Sequence, residues 1–345
     1  MPTSPYAAPV VTSADPAAAA RLAFRRGLDS GTLLRFPGAF TPLTARLIEE
    51  LGFEGVYISG AVLSAELGLP DIGLTSLTEV AGRAEQIAST TTLPTLVDAD
   101  TGFGEPLNVA RTIRTLEAKG LSGCHIEDQV NPKRCGHLDG KTLVTTDEMV
   151  RRIAAATAAR TDRNFVICAR TDARSVEGLP AAIDRAKAYV AAGADLVFPE
   201  ALSDTGEFTS FRRAVEAPLL ANMTEFGKTR LLETGTLASI GFNVVIYPVT
   251  LLRLAMGAIE EGLRTMTAKG TQRDLVPRMQ TRARLYELLR YDSYTAFDSQ
   301  IFAFDIPTGD PADRVNDEQP DAPAVDTSDS VATTATAMTT TEESP

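Results

Sequence analysis

Eight short apolar runs, each followed by a stretch with helical periodicity, constrain this chain more than any other feature of it. The runs fall at 33–36, 55–59, 94–99, 123–127, 165–170, 196–200, 219–223 and 244–247, and most are near-continuously apolar. A strand buried on one face alternates polar with apolar residues; a strand buried on both does not. Helical patterns at 43–51, 77–89, 107–119, 146–160, 179–192, 205–215, 229–234 and 251–269 supply the cover. Gly52, Gly120, Gly193 and Gly235 stand where a left-handed residue would end a helix before the chain turns back. Eight such units with short connections close into a (β/α)8 TIM barrel, an α/β fold, more readily than they extend an open sheet. A helical pattern at 18–31 precedes the barrel, and extra C-terminal helices at 280–302 follow it.

The two ends differ in kind. Residues 1–17 are rich in Pro, Ala, Ser and Thr, and 306–345 hold nine acids against the single base Arg314. Neither has enough large apolar side chains to offset the entropy of ordering, so both are expected to be disordered, leaving 18–305 as the barrel domain. The tail accounts for −8 of the net charge of −12. The rest is mildly acidic, which argues against a nucleic-acid partner and allows a locally basic pocket for an anion. No apolar run approaches the roughly 18 residues of a membrane span, and no signal segment opens the chain. Three cysteines, none in a CxxC pair, give no disulfide framework and fit a reducing cytoplasm.

In such barrels the active site forms at the carboxyl ends of the strands, and here those ends are heavily polar. Ser59 closes the second run, Asp98 and Asp100 the third, Glu127 and Asp128 the fourth, Arg170 and Asp172 the fifth, Glu200 the sixth, and Asn222 and Thr224 the seventh. Carboxylates on buried strands are costly unless paired or metal-bound, so a whole ring of them points to a site. Asp98 and Asp100 lie two apart, which on extended backbone directs both carboxylates the same way. With Glu127 or Asp128 nearby, such hard oxygen ligands suit Mg²⁺, or Mn²⁺.

The longest connection, EDQVNPKRCGHLDGKTLV, follows the fourth run and reads as a lid. It carries Cys135 beside Lys133, Arg134 and His137, cations that favour the thiolate and poise the cysteine for proton exchange near neutral pH. A surface cysteine with incidental basic neighbours is the plainer alternative. Cys124 and Cys168 lie inside strands and read as buried small hydrophobes, and His125 reads as a structural histidine. A Cys–His nucleophile for acyl transfer is a weaker fit, because it has little use for a carboxylate ring holding a metal.

The stretches SGAVLSAELGLPDIGLTSLTE, VDADTGFG, HIEDQVNPKRCGHLDGKTLV and ANMTEFGKT resemble the 2-methylisocitrate lyase family, within the isocitrate lyase and phosphoenolpyruvate mutase superfamily. The resemblance spans about 36–302, and KRCGH is its most specific element. SGAV is one glycine shorter than the family's usual run. The resemblance implies a homotetramer whose dimers exchange a C-terminal helix. It also implies Mg²⁺ on Asp98 and Asp100, with Glu127 and Asp71 in the shell behind them. Ser59, Gly60 and Ala61 match a loop for a substrate carboxylate, and Cys135 with Gly136 the catalytic cysteine motif. Arg170, Glu200, Asn222, Thr224, Arg253 and Arg282 match substrate-binding positions.

The implied reaction is a retro-aldol cleavage of a tricarboxylate, 2-methylisocitrate, into pyruvate and succinate, as in propionate breakdown through the methylcitrate cycle. Tyr57 would take the hydroxyl proton, Arg170 offset the alkoxide, Cys135 with His137 protonate the succinate fragment, and Arg253 and Arg282 clamp carboxylates. Phe198 and the segment 246–248 resemble the pocket for the methyl group. Two rivals stand beside this reading: a lyase for isocitrate or another 2-hydroxy or 2-oxo dicarboxylate, and a barrel retained without catalysis.

Overall fold

The structure, a computed structural model, describes residues 15–303 apart from His137 and Asp139. Eight parallel strands run β1 (Leu34–Pro37), β2 (Val56–Ile58), β3 (Thr95–Asp98), β4 (Gly123–Glu127), β5 (Val166–Thr171), β6 (Leu196–Pro199), β7 (Leu220–Asn222) and β8 (Val244–Tyr247). Ladders join β2 through β6 in sequence order and β7 to β8 to β1. Single parallel bridges from Gly38 to Tyr57 and from Val197 to Leu219 connect the two arcs into a ring. The barrel and all eight expected strands are present.

Because side chains alternate along a strand, each strand gives one series to the barrel interior and one to the helices. The interior series holds Leu34, Phe36, Tyr57, Leu96, Val166, Cys168, Leu196, Phe198, Leu220, Val244 and Ile246 as one apolar cluster. Phe24 and Leu28 of the helix Pro16–Leu28 join it, so that helix covers the end where the strands begin. The opposite series, including Val56, Val97, Cys124 and Ile167, packs against the surrounding helices. Continuing the interior alternation toward the carboxyl ends brings in Asp98, Glu127, Arg170, Glu200 and Asn222, so the polar ring is the top layer of the barrel filling.

Local chemistry starts the helices where expected. Ser76 and Glu79 form a reciprocal capping box on the helix Leu77–Ala88, and Thr145 and Glu148 another on Thr146–Ala159. Gly52, Gly120 and Gly193 take positive φ after their helices. The expected helix at 229–234 is a correction: 229–233 is loop, the helix is Thr234–Ile240, and Gly235 lies within it. Its left-handed cap is Gly241, at φ 99°. A further short helix, Gly60–Glu66, follows β2 directly.

Beyond the barrel strands come the helices Thr250–Lys269, Arg282–Leu288 and Tyr291–Phe302, with a 3₁₀ turn at Arg273–Arg278. Residues to Asp298 form one compact unit, and a second begins at Ser299, of which 299–303 are described. Of the ends expected to be disordered, 1–14 and 306–345 lie outside the described residues, as does His137; the N-terminal boundary is a correction, because Asp15 caps a helix that Pro16 and Ala17 begin. Among the described residues no helix is long and apolar enough to cross a membrane.

Candidate active site

Asp98 ends β3, and Asp100 follows it after a turn rather than on extended backbone, since Asp100 has φ 46°. This corrects the expected geometry: the carboxylates converge because Asp100 N–H donates to Asp98 Oδ1 at 3.0 Å. Asp98 Oδ2 accepts the Gly60 N–H at 3.2 Å. A Cβ on Gly60 would stand 2.8 Å from Asp98 Oδ2, so the SGA segment needs glycine to come this close. Gly60 N–H is therefore turned to the aspartate pair, while Ser59, buried, occupies the cap position of the helix that follows.

Lys133, from the long loop, reaches back over the aspartates. Its ammonium pairs with Asp71 and lies 2.8 Å from Asp100 Oδ1. Burial opposes its charge, but Glu127, Asp100, Asp98 and Asp71 together raise its pKa. Burial and the adjacent Asp98 push Asp100 up to about 6. Asp98 is held low despite its burial, first by His125, then by Lys133 and Arg170 and by the Asp100 N–H.

Arg170 is the hub of the other half. Its Nε and Nη2 bind Asp172 at 3.0 and 3.2 Å, Nη1 lies 3.3 Å from Glu127 and Nη2 lies 3.4 Å from Glu200. The guanidinium also lies over the Phe198 ring, 5.1 Å from its centroid. Asn222 Nδ2 donates to Glu200 at 3.3 Å, and Arg253 Nη1 reaches Thr224 Oγ1 at 3.3 Å while pairing with Glu225. Asp128 turns away from the ring: it accepts from Thr171 Oγ1, Tyr189 OH and Asp172 N–H, and serves as a support rather than a metal neighbour.

Between the halves lies a buried pair that sequence reasoning described incompletely. Tyr57 OH is 2.7 Å from His125 Nε2, which lies 3.6 Å from Asp98 Oδ1. Burial lowers His125 to about 4, so the imidazole is neutral at pH 7. Burial and Asp98 raise the Tyr57 phenol well above 10. Tyr57 is thus no phenolate base at rest, and His125, set down as structural, is its only proton partner among the described contacts. The signal for the pairing was available only in space, 68 residues apart in the chain.

The lid is a hairpin whose base is closed by the Gln129–Leu143 bridge and by Val130 N–H donating to Thr142 O at 2.8 Å. Its tip places Gly136 against the ring, with Cys135 next to it in the chain. A Cβ on Gly136 would meet Arg170 Nη2 at 2.4 Å and Glu200 Cγ at 2.5 Å. Cys135 is half-buried; Cys124 and Cys168 are buried and unbridged, as expected. Arg282 is not brought to the ring: it is exposed on the short helix Arg282–Leu288, whose Arg284 pairs with Glu50.

The donor set suits a hard divalent cation. Asp71, Asp98, Asp100, Asp172 and Glu200 outnumber Lys133, Arg170 and Lys141, so an anionic substrate needs added positive charge. Both Glu127 oxygens are buried without a hydrogen bond, and burial raises its pKa well above the carboxylate range. Among the described residues no three such side chains converge tightly enough to cage an ion. One or two carboxylates with water completing the shell is the usual arrangement for Mg²⁺.

The sequence model of the phosphoenolpyruvate phosphomutase family matches residues 24–267. A probable 2-methylisocitrate lyase from Corynebacterium glutamicum is 63% identical over 284 residues, covering 82% of this chain and 92% of that protein. The 2-methylisocitrate lyase of Escherichia coli is 44% identical over 283 residues, 81% of this chain and 96% of its own. A solved phosphonopyruvate hydrolase in complex with oxalate and Mg²⁺ superposes with a TM-score of 0.75 at 32% identity, covering 82% of this chain and 99% of that one.

Proposed function

The chain belongs to the phosphoenolpyruvate phosphomutase family, and on that premise we propose that it cleaves 2-methylisocitrate to pyruvate and succinate. The observation that carries the proposal is the seating of the Cys135–Gly136 turn on Arg170 and Glu200, which puts a thiol-bearing lid on a polar ring of the required make-up.

Asp98 and Asp100 would hold Mg²⁺, with Asp71 and Glu127 behind them. When bound, it supplies Lewis-acid stabilisation of charge developing on the 2-oxo acid product. Arg170, kept charged by the carboxylates around it, Asp172 first, binds and orients the anionic substrate. The substrate hydroxyl gives its proton to Tyr57 as Tyr57 passes its own to His125 Nε2. The carbon–carbon bond then breaks to give the 2-oxo acid and an enediolate, and Cys135 protonates that carbon to succinate. Gly136 allows the close approach, and Asn222, Thr224 and Arg253 orient the distal carboxylates.

The same reading assigns a homo-oligomer with an exchanged C-terminal helix, supported by the helix Thr250–Lys269, which has no buried residue and exposes Leu254, Met256, Ile259, Leu263 and Met266. Metal-dependent formation of pyruvate and succinate in equal amounts tests the activity, and light scattering the assembly. No cleavage at any Mg²⁺ concentration would remove the first assignment; a monomer at micromolar concentration would remove the second.

A further inference from the structure

Lys141 lies at the far end of the lid, and its side chain is almost fully buried. Its ammonium binds Asp172 Oδ1 at 2.9 Å and donates to the carbonyl of Gly136. Asp172 is fully buried, and the same carboxylate is gripped by Arg170 through two hydrogen bonds. Its backbone N–H is in turn fixed by Asp128 at 2.9 Å. One carboxylate on the barrel is thus shared between the substrate-facing arginine and a lysine that holds the lid by the residue next to Cys135.

A buried lysine is expensive to desolvate, and one that spends its donors on a barrel carboxylate and a lid carbonyl is a fastener. Lys133 fastens the opposite side of the lid to Asp71 and Asp100. Cys135 and Gly136 are suspended between the two anchors.

We propose that Lys141 is a positioning residue that locks the Cys135–Gly136 turn onto Arg170 through Asp172. Lid position and arginine orientation then depend on one shared carboxylate. The role rests on the proposed lyase reading only for what Cys135 does after it is placed; the placement itself is independent of the substrate.

The test compares Lys141→Met and Lys141→Arg in the full-length protein. Iodoacetamide labelling of Cys135 in the free enzyme reads lid position directly, because Cys124 and Cys168 are buried. Lys141→Met should label at least about tenfold faster, and its kcat with 2-methylisocitrate and Mg²⁺ should fall about 10²-fold, the scale expected when a reacting group is misplaced by an ångström. Mn²⁺ affinity at the aspartate pair should stay near wild type. Lys141→Arg retains a donor and charge, and should recover most of both losses. Labelling of Lys141→Met at the wild-type rate would overturn the proposal, as would an arginine variant as defective as the methionine one. If Lys141→Met does not fold, the arginine variant decides: wild-type labelling supports the lock and fast labelling refutes it. A wild-type enzyme that leaves 2-methylisocitrate untouched while the labelling pattern holds would sink the substrate assignment and leave the lock standing.

Discussion

Replacing Gly136 with alanine should uncouple catalysis from stability. The added Cβ would stand 2.4 Å from Arg170 Nη2, 2.5 Å from Glu200 Cγ and 2.6 Å from Glu200 Oε2. Comfortable separations are about 3.5–4.0 Å, so something must move by about 1 Å. Arg170 is held by Asp172, Glu127 and Glu200 and is 7% exposed, whereas the Cys135–Gly136 turn is suspended between the Lys133 and Lys141 anchors, so the turn yields. A displacement of that size at a reacting group costs about 10²-fold in rate, equivalent to about 2.7 kcal/mol of barrel-to-lid positioning in the transition state. The measurement is steady-state kcat for 2-methylisocitrate, with pyruvate reduced by a coupled dehydrogenase, beside a thermal melt. The expected outcome is kcat down about 10²-fold with melting temperature nearly unchanged. A kcat within threefold of wild type would refute the reasoning that places the lid tip on Arg170.

Asp98→Ala should abolish Mg²⁺-dependent turnover while the protein stays folded, and full activity in EDTA would contradict it. Cys135→Ser should lower kcat by about 10²–10⁴-fold with substrate still bound and no covalent adduct on the wild-type cysteine during turnover, because serine is a far weaker acid in the donor's place; mass spectrometry and kinetics check both halves. Tyr57→Phe removes the hydroxyl 2.7 Å from His125 and should cut kcat by about 10²-fold with KM little changed; near-normal kcat would exclude the relay. Asp100, raised to about 6, must lose its proton before it binds a cation, so Mn²⁺ affinity should fall about tenfold per pH unit below that value. In the metal-free protein the sign reverses: the raised value favours the folded state at low pH, and that contribution is lost as pH rises through about 6. A metal affinity unchanged between pH 5 and 7.5 would contradict the assignment.

The strands were legible because both-face burial leaves little choice of residue, and the ring was legible because polar groups cannot otherwise end such strands. Alternation even predicts which members face inward, as in Leu196, Phe198 and Glu200. What the sequence could not supply was distance. Lys133 with Asp71, Lys141 with Asp172 and Tyr57 with His125 are separated by 62, 31 and 68 positions, and nothing local marks them as partners. Asp128 was misread for the same reason: its neighbours in sequence face the site, but its partners Thr171 and Tyr189 lie behind it. The helix lies later than 229–234 because Gly235 is an interior helical residue and the left-handed cap is Gly241. Helix Gly60–Glu66 was missed because a seven-residue helix begun by glycine leaves too short a period to detect. The turn at Asp100 required a positive φ that aspartate adopts only occasionally.

The most direct measurement is turnover of 2-methylisocitrate beside isocitrate, each with Mg²⁺ and with EDTA, following pyruvate, glyoxylate and succinate together. Equal pyruvate and succinate from 2-methylisocitrate, lost in EDTA and much slower release of glyoxylate from isocitrate, is the expected result. Preferential cleavage of isocitrate, or product formation undiminished by EDTA, would contradict the account.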